Sequence, residues 1–191
     1  MITDSVMSID VIPQSAAVAK LQDRLSPSVP VAMSAMDTAA SLSGDDSVEL
    51  LTKLFTERLK LKVAVSTVSM HLAAVWRESI FRQIDLLHSE QDWSDESSFI
   101  KGDSFRTLLR FVVFAAPGSL PGLGVSSTGN PVASWLAGDR KAYIEFQPKD
   151  IANAVLAKMT ERGPEAVSWR GPVTNIRQFV HQFGIADILG W

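Results

Sequence analysis

Apolar residues follow a helical period over the first part of the chain and a strand period after about residue 117. Asp46-Ser47-Val48-Glu49 fits a capping box, with the carboxylate of Glu49 placed to reach back to the start of a helix. Leu50, Leu51, Leu54, Phe55 and Leu59 follow at helical spacing, which predicts a helix over 47–60. Leu59-Lys60-Leu61-Lys62-Val63-Ala64-Val65 then alternates strictly, as a strand does. It reads either as a break in the helix or as a short edge strand. Val65, Val68, Leu72, Val75, Trp76, Ile80, Ile84 and Leu87 form a long helical stripe, which predicts a second helix over about 67–89, separate from the first or fused to it. A polar turn around Asp92-Trp93 ends it. Asp103-Ser104 is placed to cap a third helix that buries Phe105, Leu108, Leu109, Val112 and Val113.

Pro117-Gly118-Ser119-Leu120-Pro121-Gly122 stops that helix. Leu123 to Ser126 reads as a short strand and Ser127 to Asn130 as a turn. Val132 to Leu136 and Lys141 to Phe146 then read as the arms of a β-hairpin with Gly138-Asp139 at its tip. Residues 151–162 fit two patterns. As a helix, Asp150 caps and Ile151, Val155 and Met159 share a face. As a strand, Ala154, Leu156 and Lys158 alternate with Val155, Ala157 and Met159. Glu165 to Arg170 reads as a strand stopped by Gly171-Pro172. Pro172 to Phe183 reads as a last helix with Val173, Ile176, Phe179 and Val180 inward and Gly184 at its end.

Composition sharpens this picture. The chain has 191 residues, 46% of them hydrophobic and 20% charged, enough for one full core. Residues 1–46 are rich in serine and broken by Pro13, Pro27 and Pro30, and read as a flexible leader. A short helix over Ser15 to Leu25 is the one element expected in it. Residues 47–191 read as a single α+β domain, helical over 47–115 and carrying the sheet and final helix over 122–183. The formal net charge is −3, with most of the excess acid in the leader, so the domain is near neutral. Non-specific nucleic-acid binding needs a clustered basic surface, and no basic run supplies one. The charge-free run Phe111 to Gly138 contains Pro117, Pro121 and Pro131 and is not expected to cross a membrane. Acidic residues near the N-terminus and no base before Lys20 argue against a secretory signal. The chain has no cysteine, which removes thiolate chemistry and suits a reducing compartment such as the cytoplasm.

Catalytic patterns are weak. Gly118-Ser119-Leu120-Pro121-Gly122 is not a nucleophile elbow, and Gly122-Leu123-Gly124 has no third glycine or following helix. His88, Glu90 and Asp92 lie close together but carry no metal-binding spacing of any specificity. Glu145 is expected on the solvent side of its strand, opposite Ile144 and Phe146. No cofactor and no metal are expected. Trp135, Tyr143 and Trp169 fall on predicted strands and suggest an aromatic binding face, with completion of the core or support of neighbouring strands as the plain alternative. Arg106 and Arg110, one helical turn apart, suggest a second contact surface, with solvated ion pairs as the plain alternative.

Asp92-Trp93 in an acidic turn, the Pro-Gly loop, Trp135, and Tyr143-Ile144-Glu145-Phe146 together resemble a set of small, uncharacterised bacterial proteins. Those proteins accompany mobile elements and toxin–antitoxin or defence loci. The resemblance covers about residues 68–183. It implies an α+β fold, a meander that continues as strand through 151–162, and an accessory or antitoxin-like role. The expected architecture is therefore a set of N-terminal helices packed on a four- to five-stranded antiparallel meander with a C-terminal helix. The expected function is a non-enzymatic protein-interaction module in the cytoplasm whose protein partner could be a toxin. The alternative is a nucleic-acid-associated protein that uses the aromatic strand face and the arginines. An enzyme with dispersed carboxylates and histidines ranks last.

Overall fold

The structure, a computed structural model, describes residues 44–89 and 98–191. Three helices lead: α1 (Gly44–Thr67), α2 (Ala74–Leu87) and α3 (Gly102–Ala115), with a 3-10 turn at Ser69–His71 between the first two. A five-stranded antiparallel sheet follows in simple sequential order. Its strands are β1 (Gly122–Val125), β2 (Pro131–Ala137), β3 (Arg140–Gln147), β4 (Ile151–Thr160) and β5 (Gly163–Pro172). A 3-10 turn (Val173–Asn175), α4 (Ile176–Phe183) and a last 3-10 turn (Ala186–Leu189) close the chain over one face. This is the α+β arrangement that the change of period predicts.

Strand alternation sends one row of side chains to the helices. Ala133, Ile144, Ala154 and Trp169 lie in register across β2 to β5, and so do Trp135, Ala142, Leu156 and Val167. Ile144, Phe146 and Leu156 are fully buried in that row. From the other side α3 brings Phe105, Leu108, Phe111 and Val112. Burying one such side chain contributes about 1.5–3 kcal/mol. Phe111 sits at the centre of this layer. Its ring lies 5.2 Å from Phe146, 6.1 Å from Trp135 and 6.2 Å from Trp191. The edge contacts with both tryptophans put positive ring edges near negative ring faces, the favoured arrangement for aromatic pairs.

The hairpin of β2 and β3 forms as its alternation predicts, with Gly138 at the tip in the left-handed region at φ +61°. Residues 151–160 are strand, because pairing on both sides and an alternating burial pattern outweigh a slight helical propensity. Other expectations need correction. Residues 59–65 are neither a break nor a strand but the continuous interior of α1, which runs from Gly44 to Thr67. The second helix begins at Ala74, not near 67, because a 3-10 turn intervenes. Asp103-Ser104 does not cap α3. The helix starts at Gly102, the Lys101 N–H is bonded to Gly129 O at 2.8 Å, and Ser104 Oγ donates to Asn130 Oδ1 at 2.8 Å. Those bonds draw the helix start against the β1–β2 turn, and the cap position falls at Lys101, two residues before Asp103. Residues 1–43 of the expected leader, and the Asp92-Trp93 turn, lie outside the described residues.

A close backbone approach locks the end of the sheet. A Cβ on Gly118 would lie 2.8 Å from Gly190 O, so only glycine fits there. Ser119 N–H and Oγ donate to Leu189 O and Ile188 O at 3.1 and 2.6 Å. Trp135 Nε1 donates to Ser119 O at 3.0 Å, so the Pro-Gly loop, the last 3-10 turn and β2 hold one another.

Candidate functional site

The alternation in 59–65 explains the site. On a helix, positions two apart lie about 200° apart around the axis. Leu61 and Val65 are accordingly buried (3% and 0% exposed), while Leu59 and Val63 face away (45% and 62% exposed). The second stripe is longer than those two residues. Val48, Leu51, Phe55, Leu59 and Val63 recur at steps of three and four, and all are exposed. α1 is thus apolar on two sides. One packs under α2 and α3, and the other is left open.

Beside the open stripe lies a groove of about 1240 Å³ between α1 and α3. Phe55, Leu59, Val63 and Val68 form one wall, and Leu109, Val113 and Phe114 the other, with Ile100 and Phe105 at the base. Phe114 is 76% exposed at the lip. The α3 wall also carries Arg106 and Arg110. Arg106 pairs with Asp103 at 2.7 Å one turn away, and Arg110 pairs with Asp150 in the β3–β4 turn. Lys60 pairs with Glu57 at 2.7 Å on the α1 side. Exposed pairs of this kind contribute about 0–1 kcal/mol each. They leave the rim close to charge balance, so apolar area dominates the groove.

The aromatic residues read as one binding face do not share a face. Trp135 is buried on the helix side with its indole N–H satisfied by Ser119. Trp169 lies on the same inner side, its ring stacked 5.6 Å from Phe179 of α4. Tyr143 is in register with Ser134 and Val155 on the opposite side of the sheet. Trp135 and Trp169 therefore complete the core, because alternation in β2 and β5 places them with Ala133 and Val167. The expected face loses its two tryptophans. Arg106 and Arg110 do lie together, on the groove wall.

Glu145 occupies the outer face as expected, yet it is embedded in a polar cluster. Asn130 Nδ2 donates to it at 3.0 Å, and Thr128 and Asn153 donate at 3.4 Å. Burial pushes its pKa up, but the hydrogen bonds from Asn130, Ser126, Asn153 and Thr128 outweigh that and hold it below the ordinary 4.5. An anion so held ties the β1–β2 turn to β3 and β4. A carboxylate tuned downward is a poor general acid or base near neutral pH. His88 is buried at the end of α2 with Nδ1 3.0 Å from Ile84 O, and burial lowers its pKa from the ordinary 6.5. Glu90 and Asp92 lie outside the described residues. Among the described residues, no group of three or more His, Asp or Glu side chains is placed to hold a metal ion.

Phe55, Leu59, Val63 and Phe114 are the site residues that sequence reasoning missed. Helical spacing runs Phe55 and Leu59 together with Leu50 and Leu54, and Val63 falls in the strand-like alternation of 59–65. The available signal was the width of the apolar arc, too broad for a helix with one buried face. Among the described residues, no helix is long and apolar enough to cross a membrane. No family model, curated relative or solved structure matches the chain.

Proposed function

We propose that the protein is a non-enzymatic interaction module that receives an amphipathic helix of a protein partner in the groove between α1 and α3. The observation that carries this reading is the second apolar stripe of α1, which the fold itself does not bury. Helix-in-groove recognition uses anchors spaced at three, four and seven residues on the incoming helix, set against an apolar trough. The groove supplies such a trough, with Phe55, Leu59 and Phe114 as its large contacts. Aromatic contacts of this type dominate protein interfaces energetically. Arg106 and Arg110 at the rim would orient the partner through acidic residues flanking its apolar face. We place the protein in the cytoplasm, in keeping with a chain that uses no cysteine. The narrower role of neutralising a toxin is supported by the sequence resemblance alone. The nucleic-acid reading has lost its aromatic support and is not carried forward.

Site-specific photo-cross-linking in the native cell tests this directly. A photoreactive phenylalanine analogue replacing Phe55 should trap one discrete protein, linked through a peptide with helical apolar spacing. The same group replacing Met159, exposed on the far side of the molecule, should not. Equal yields at both positions, or no adduct at Phe55, would remove the proposal.

A further inference from the structure

The edges of the sheet are treated differently. β1 is short, and its Leu123 N–H donates to Gln83 Oε1 of α2 at 2.5 Å, so a helix side chain closes that edge. β5 has ten residues and, among the described residues, pairs only with β4, as the last strand of the sheet. Unpaired edges of that length are sites of strand addition unless they are blocked.

The hydrogen-bonding phase of β5 follows from its hairpin. Thr160 and Gly163 flank the Glu161-Arg162 turn, and the pair closing a two-residue hairpin is a hydrogen-bonded one. Alternation then directs the backbone groups of Glu165, Val167, Trp169 and Gly171 toward β4, and those of Ala166, Ser168 and Arg170 outward. Pro164 and Pro172 fall on the same outward phase, where a missing N–H costs no bond to β4. They stand at equal distances on either side of Ser168. The free edge is therefore a short ladder centred on Ser168 and ended symmetrically by residues that cannot donate.

A symmetric edge of this kind is complementary to itself. We propose that two copies of the protein pair antiparallel through β5 about a two-fold axis at Ser168, joining their sheets into one of ten strands. In that register Ser168 faces Ser168 of the other copy and Ala166 faces Arg170. Each pair exchanges N–H and C=O bonds, and the prolines meet beyond the ends, where the ladder stops. Glu165 falls opposite Gly171 and Arg170 opposite Ala166, so no like charges are opposed, which would be destabilising in cross-strand pairs. On the helix side, half-buried Val167 comes against half-buried Trp169 of the other copy. Ladder and side-chain contacts over so few residues make a small interface, so the dimer should depend on concentration. This inference is independent of the groove, which lies on α1 and α3.

Sedimentation equilibrium of the full chain, from about 1 µM to about 1 mM, gives the first measurement. The mass should rise from 20.8 kDa toward twice that value. Ser168→Pro removes an outward N–H without touching the β4 ladder. It should remain monomeric throughout while keeping the wild-type melting temperature. Because that variant could fail to fold, Ser168→Cys supplies a second reading. Its Cα would lie about 5.5 Å from its mate, within disulfide reach. Mild oxidation should then link the dimer, whereas Glu161→Cys, at the hairpin turn, should not link. A wild-type chain that stays monomeric at every concentration, as it would if the edge took only a foreign strand, overturns the proposal. So does a dimer that survives Ser168→Pro, or linking no faster at Ser168 than at Glu161.

Discussion

α1 and α3 are neighbouring helices, and they place their apolar residues differently. α3 turns Phe105, Leu108, Phe111 and Val112 to the sheet and is buried along that whole side. α1 buries Leu54, Leu61 and Val65 but keeps Val48, Leu51, Phe55, Leu59 and Val63 at the surface. A solvent-facing stripe of large apolar residues offers no folding benefit and favours association. On the proposed reading, the difference separates residues the fold needs from residues offered to a partner.

The sharpest way to break that comparison is through α3. Phe111→Ala should cost about 3–5 kcal/mol, because it empties the point where Phe146, Trp135 and Trp191 converge. Against a total stability of about 5–15 kcal/mol, chemical denaturation should show a large fall in midpoint. A loss under about 1 kcal/mol would mean that the core is centred elsewhere.

Glu145→Gln should cost about 1 kcal/mol at neutral pH, since it weakens charge-assisted bonds from Asn130 and Thr128. The pH dependence follows from the depressed pKa. The unfolded chain binds the proton more tightly, so the contribution is complete above the ordinary 4.5 and fades as pH falls through the folded value. The gap between wild type and variant should close in acid. If it stays constant with pH, the carboxylate charge plays no part.

His88 titrates in a higher window with the same sign. Its folded pKa lies below the ordinary 6.5, so stability should begin to drop as pH falls below 6.5. Replacing His88 with leucine should flatten that part of the profile. An unchanged slope would assign the effect to other groups.

These regions were not equally legible in the sequence. The β2–β3 hairpin was clear because Gly138-Asp139 sits between alternating arms whose inward residues Ile144 and Phe146 are large and whose partners are local. α4 was clear because Ile176, Val180 and Gly184 follow one simple period. α1 was obscured by its two apolar sides: Leu61 and Val65 on one and Leu59 and Val63 on the other interleave into an apparent strand. Strand pattern leaves Trp135 and Trp169 open between core and binding face, because membership of a strand does not say which face is covered. That depends on α3 and α4, distant in sequence. The groove was invisible for the same reason, since its walls are joined only by tertiary packing. Arg106 and Arg110 were found by helical spacing, but the apolar surface between them and α1 was not.

The smallest stability effect should come from Phe55→Asp with Leu59→Asp. Both side chains are exposed, so unfolding free energy should shift by no more than about 0.5 kcal/mol for each. A loss of several kcal/mol would place the stripe in the core and erase the contrast with α3.

The same double variant gives the most direct test of the central claim when its binding is measured against the protein trapped at Phe55. Titration by calorimetry should show affinity reduced at least tenfold, equivalent to about 1.4 kcal/mol, with the melting temperature retained. Affinity within twofold of wild type, on a folded double variant, would contradict the assignment of the groove as the docking site.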